Sequence, residues 1–98
     1  MARQLDLIPP GEILFEEFMR SLGVSQNRLA RDTGVPATRI HEIIHGRRGI
    51  TADTALRLSA FFGTSPEFWI NLQARYDLDR AQRDMGAKVK REVRPLAA

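Results

Sequence analysis

Five consecutive residues, His41-Glu42-Ile43-Ile44-His45, match the H-E-x-x-H pattern. On a helix this spacing sets two imidazoles one turn apart on one face with a carboxylate between them, the arrangement that holds zinc and supplies a general base. Three features argue against hydrolysis. The positions where an extended motif would want glycine and a third histidine hold Arg48 and Thr51. Glu67, at a distance a downstream ligand could have, opens another helix, where an acid already suits the dipole. Arg47 and Arg48 repel a cation, and so small a core leaves little room for a walled substrate cleft. No catalytic residue, metal site or cofactor is expected.

The same residues read differently on a helical wheel. With Ile40 at the centre of an apolar face, Ile43 and Ile44 fall beside it. Thr38, Glu42 and His45 lie opposite, flanked by Arg39 and His41. These side chains suit a DNA major groove: Arg39 for guanine, Thr38 for a thymine methyl or a phosphate, Glu42 for cytosine N4. Ser25, Gln26 and Asn27 cluster at the start of the preceding helix, where free N–H groups suit a phosphate, and Arg47 and Arg48 follow the second helix as a clamp on the flanking strand.

The elements that must position these groups run from Ser25 to Gly46. Ser25 is an N-cap, Leu29 and Ala30 share one face, and Gly34 supplies the left-handed residue that commonly ends a helix. Pro36 is expected at the first position of the next helix, which buries Ile40, Ile43 and Ile44. Two short helices joined by so tight a turn predict a helix-turn-helix.

The rest of the chain predicts three more helices. Pro9-Pro10-Gly11-Glu12 starts one that runs to about Leu22, with Leu14, Phe18 and Leu22 as its apolar stripe and Phe15 and Met19 flanking it to make one broad apolar face. Thr51 caps Ala52–Phe62, and Ser65-Pro66-Glu67 opens a fifth helix to about Tyr76, extending at most to Met85. Val89–Pro95 reads as a short extended segment, since Pro95 cannot continue a helix. The expectation is one all-α domain of five helices: a loose arm at 1–8, a helix-turn-helix domain at 9–76 with its motif at 25–46, and a charged extension at 77–98.

Composition agrees and narrows the functional class. The 98 residues contain no cysteine, which excludes disulfides and Cys-based zinc modules, and no apolar run or leader-like start suggests a membrane or export, so a cytoplasmic location is expected. The net charge of +3 is unevenly spread, at −3 over residues 1–19, +4 over 20–57, −2 over 58–79 and +4 over 80–98. Positive charge gathered on the helix-turn-helix and the tail is the footprint of a phosphate binder. Five of the seven aromatics, Phe61, Phe62, Phe68, Trp69 and Tyr76, fall in the last two helices, more than one small core needs. Trp69, Leu72 and Tyr76 are therefore expected at a homodimer interface.

The segment GRRGITADTALRLSAFFGTSPEFWINLQ, with Pro10-Gly11-Glu12-Ile13-Leu14 before it and Arg91-Glu92-Val93-Arg94-Pro95 after it, resembles the HigA (VapI-like) antitoxins, of the lambda-repressor-like helix-turn-helix class. The resemblance covers residues 9–96. It implies a dimer that binds and represses a palindromic operator in its own promoter and neutralises a HigB-like toxin, an mRNA-cleaving ribonuclease of the RelE type. Carried onto this chain, the DNA contacts fall on Gln26, Thr38, Arg39 and Glu42, with phosphates near Ser25, Asn27, Arg47 and Arg48. The toxin would meet the N-terminal arm with the first helix, or the basic tail. His41 and His45 depart from the polar residues expected at those positions, which bears on the operator sequence rather than the fold. A stand-alone repressor without a toxin partner is the alternative.

Overall fold

The computed structural model describes residues 7–97, so most of the loose arm expected at 1–8 lies outside the described residues. Pro10 opens helix α1 (Pro10–Ile13), which continues without a break as π-helical turns over Leu14–Arg20. Four α-helices follow: α2 (Gln26–Thr33), α3 (Ala37–Ile44), α4 (Ala52–Phe62) and α5 (Pro66–Glu92). No strand occurs among the described residues.

The helix starts are chemical in origin. The Ser25, Thr51 and Ser65 hydroxyl oxygens accept from the backbone N–H of Arg28, Thr54 and Phe68 respectively, each satisfying a donor that the helix itself cannot. Gly34 closes α2 at φ 80°, a conformation that a side chain would strain, while its N–H donates to Ala30 O at 2.9 Å. The Arg57 guanidinium then donates to Thr33 O at 2.9 Å and pairs with Asp53 at 3.2 Å, tying the turn to α4. Pro36 serves as N-cap of α3 with φ −55° and ψ 141°, one residue earlier than the first helical position expected for it.

The π winding changes which face of the first helix is buried. Its wider turn brings residues five apart onto one side, so Leu14 and Met19 are buried and Phe18 only partly so. Leu22, expected in the apolar stripe, is exposed. Leu14 and Met19 join Leu29, Val35, Ile40, Ile43, Ile50, Ala55, Leu58 and Trp69 in one core, and Ile44 packs at its edge instead of inside it. Phe18 is the aromatic hub, with ring centroids 5.1 Å from Phe62, 5.7 Å from Phe68 and 4.9 Å from Trp69.

That arrangement corrects the interface expected of Trp69. Its side chain is 0% exposed within one chain, and its indole N–H donates to Thr64 Oγ1 at 2.8 Å, so it has neither surface nor donor left for a second copy. The aromatic surplus is consumed internally, because tilted and edge-on pairs add to the area they bury. Leu72 packs partly buried against the same core, and Tyr76 is half-buried.

The tail differs most from expectation. α5 is a single 27-residue helix that runs through Gly86 to Glu92, and Val93 caps it in an extended conformation. Val89–Glu92 are thus helical, and only Val93 onward leaves the helix. At 1.5 Å per residue α5 is about 40 Å long, more than the body beneath it can cover. The radius of gyration of 16.2 Å, against about 13 Å for a compact chain of this length, reflects the end that projects.

Candidate nucleic-acid interface

α3 buries Ile40 and Ile43 and turns its other side outward. Thr38, His41 and His45 are exposed, while Arg39 and Glu42 are half-buried at the flanks. Pro36 supplies no side-chain cap, so α3 begins with backbone N–H groups left open beside Thr38 and Arg39, at the end where such a helix meets base edges and phosphates. Arg39 and Arg47 make no side-chain ion pair or hydrogen bond among the described residues.

Two pairs of the expected residues come together. Arg48 Nε donates to Glu42 Oε1 at 2.7 Å, folding the loop after α3 back over the helix. In the free protein Glu42 is thus engaged by its own neighbour, and a cytosine amino group would have to share or replace that arginine. Both side chains keep close to half their surface in water, so the pair orients the loop more than it stabilises the fold. His41 and His45 stack with ring centroids 4.1 Å apart and planes 36° apart, and the His45 ring Nδ1 lies 2.9 Å from His41 O.

At the start of α2, Ser25 Oγ accepts from Arg28 N at 3.1 Å, so its oxygen is committed to the cap while its hydroxyl hydrogen stays free to donate. Gln26 and Asn27 occupy the first two helical positions, where backbone N–H groups have no intrahelical acceptor. No side-chain hydrogen bond among the described residues joins Ser25, Gln26 or Asn27 to the α3 group.

Two residues that hold this surface in place went unnoticed in the sequence. Gln73 on α5 accepts from Ile50 N at 2.8 Å through Oε1 and donates from Nε2 to Asp77 Oδ1 at 3.0 Å. It thereby pins the Arg47–Ile50 loop to the last helix, and a 140 Å³ polar cavity opens beside it. Gly11 is the second, at the crossing of α1 and α3. A Cβ there would stand 2.5 Å from the Ile43 carbonyl carbon, closer still to its oxygen, and 2.9 Å from Ile44 Cα. No local sequence signal exposes a contact 23 residues away such as Ile50 to Gln73. For Gly11 the only hint was a glycine inside a helix start, where it lowers propensity and wants a packing reason.

The projecting part of α5 carries a different surface. Leu78, Met85 and Val89 are 57%, 48% and 46% exposed and line a shallow apolar groove with Ala81 and Gly86. The 7- and 4-residue intervals between these three recur on one side of a helix, as in a helix-pairing seam. No helix of the described residues is long and apolar enough to cross a membrane, and none of them form a cluster of three or more possible metal ligands.

The chain matches known proteins over nearly its whole length. A family model described as helix-turn-helix matches residues 15–69. Virulence-associated protein I of Dichelobacter nodosus is 47% identical over 81 residues, covering 83% of this chain and 75% of that protein. The structure of an addiction module antidote protein of a HigA family from Coxiella burnetii is 51% identical, with a TM-score of 0.83 over 90% of this chain and 96% of that one. The structure of Pseudomonas aeruginosa antitoxin HigA with the higBA promoter is 43% identical, with a TM-score of 0.86 over 91% of this chain and 97% of that one. The polar face of α3, the tight turn before it and the likeness that spans both place the chain in the helix-turn-helix family, among the HigA (VapI-like) antitoxins.

Proposed function

We propose that this chain is the antitoxin of a type II toxin–antitoxin module: a non-enzymatic cytoplasmic protein that binds its own operator as a dimer, represses it, and neutralises a HigB/RelE-like ribonuclease. The observation that carries the DNA half is the outward face of α3, with Arg39 making no side-chain bond among the described residues and open N–H groups at the helix start. Residues 9–76 act as the DNA-binding unit. The extension from 77 onward supplies the seam between protomers, through Leu78, Met85 and Val89; Leu72 and Tyr76 fall about 120–160° away around α5, on the side packed against the body. A single recognition helix spans only a few base pairs, so a two-fold dimer supplies the second half-site and sets the spacing.

The test is a salt-resolved titration of the full chain against DNA from upstream of its own gene. Arg39→Ala should cost about 1–3 kcal/mol on the preferred sequence and relax discrimination. Arg47→Ala should weaken all sequences alike and flatten the salt slope by about one. Affinities untouched by both changes would remove Arg39 and Arg47 from the interface. The toxin half is tested by co-purification with the product of a neighbouring small basic reading frame; absence of any such frame leaves a stand-alone repressor.

The loop anchor gives a separate expectation. Gln73→Ala leaves the Ile50 N–H without its acceptor, at a cost of about 1 kcal/mol. Thermal unfolding should move down by roughly 4–8 °C. Operator affinity should fall with it, because the Arg47–Arg48 loop loses its tether to α5. An unchanged melting temperature would show the tether to be dispensable.

A further inference from the structure

The histidine pair carries no base assignment of its own on the DNA face. Each imidazole can donate or accept in a groove, but ring centroids 4.1 Å apart on consecutive turns set this pair apart from the other groove-facing side chains. The bond from His45 to its own helix makes the pair more specific. A carbonyl oxygen only accepts, so His45 Nδ1 carries the hydrogen that points at His41 O, 2.9 Å away. With the hydrogen on Nδ1, Nε2 is the ring nitrogen that can offer a lone pair. That internal bond is the outer-shell support that metal-bound histidines characteristically have.

We propose that His41 and His45 form an exchangeable site for a borderline-soft divalent ion, Zn²⁺ in particular, and that its occupation opposes operator binding. The second half rests on the DNA reading above; the first does not. Two nitrogens bound to one tetrahedral ion at about 2.0–2.1 Å stand roughly 3.3–3.4 Å apart with their ring centroids about 5 Å apart, so the pair, at 4.1 Å now, has to spread by about 1 Å to share an ion. Both histidines are exposed, so an ion enters without disturbing the core, while the neighbouring Arg47 and Arg48 weaken its hold. Glu42 adds no ligand while Arg48 holds it at 2.7 Å, and the described residues offer no third histidine, cysteine or acid nearby. Two coordination positions therefore stay with water, which makes the ion exchangeable rather than structural.

Antagonism follows from distance. Base-edge hydrogen bonds need about 2.7–3.2 Å between partners, and a hydrated ion seated on two side chains of the reading face fills that gap. Linkage then requires operator DNA to weaken the metal by the same factor that the metal weakens the DNA.

The experiment is a calorimetric titration of the full chain with Zn²⁺, using Mg²⁺ as control, on wild type, His41→Gln and His45→Gln. Wild type should bind one Zn²⁺ per chain, and each substitution should weaken it beyond the roughly 10–100-fold that loss of an outer-shell partner alone costs. Mg²⁺ should give no saturable heat. Operator affinity, followed by fluorescence anisotropy, should fall by roughly 5-fold or more in saturating Zn²⁺ for wild type and stay constant for His41→Gln. Absence of saturable Zn²⁺ binding, or its persistence in either variant, overturns the site. Equal operator affinity with and without Zn²⁺ overturns the antagonism. Failure to bind operator in metal-free buffer overturns the DNA reading, while the calorimetry still decides the site.

Discussion

Replacing Met85 and Val89 together by aspartate should leave a folded monomer whose operator affinity is lower by roughly 10²–10⁴-fold, the range that separates one-handed from two-handed engagement. Both side chains project from a stretch of α5 with little of the chain packed against it, at 48% and 46% exposure, so their loss removes no core contact. Against a second copy the same positions would be buried, and carboxylates brought face to face without a partner are costly. Light scattering should report a halved mass, thermal unfolding should still be cooperative, and anisotropy should report the weakened DNA. A dimer that persists with full affinity would move the interface away from this stripe.

Gly11→Ala is expected to do the opposite, damaging the fold while touching no exposed surface. The added methyl group meets the Ile43 carbonyl and Ile44 Cα, which are backbone atoms and cannot rotate out of the way. α1 and α3 must then separate, opening the layer that holds Leu14 beside Ile40 and Ile43. Overpacking of this kind costs about 1–3 kcal/mol or more. In a domain this small the melting temperature should drop by roughly 10 °C or more. Since α3 carries Thr38 and Arg39, operator binding should fall in step with folded fraction at each temperature. Wild-type stability in this variant would mean that the two helices do not cross as closely as they do here.

The capped helices were legible because their signals are local. Ser25 with Arg28, Thr51 with Thr54 and Ser65 with Phe68 each lie three residues apart, and Gly34 needs only its own φ. The face of α3 was legible for the same reason, since helical spacing alone separates Ile40 and Ile43 from Thr38 and His45. Depth was not legible. Trp69 was expected at a surface because aromatics were plentiful, yet only the positions of Phe18, Phe62 and Phe68 reveal that they enclose it. Nor does any periodicity rule anticipate π winding, which draws Met19 from the flank of the stripe into the core and leaves Leu22 outside it. The end of α5 was misread from Pro95, which bars a helix only near its own position: the helix runs on to Glu92, and only Val93 onward is non-helical.

Because α5 is unbroken from Pro66 to Glu92, the residue that fastens the reading loop and the residues proposed to meet a second copy belong to one helix. Gln73 ties that rod to the loop that follows α3, and on the proposed seam Leu78, Met85 and Val89 would fix it relative to the partner. The rod therefore acts as a gauge for the phase between two half-sites. One residue inserted after Asp77 would turn the seam by about 100° and advance it by about 1.5 Å. A partner docked on the turned seam would present its α3 out of phase with the groove, so the preferred operator spacing is written in the length of a helix that touches no base.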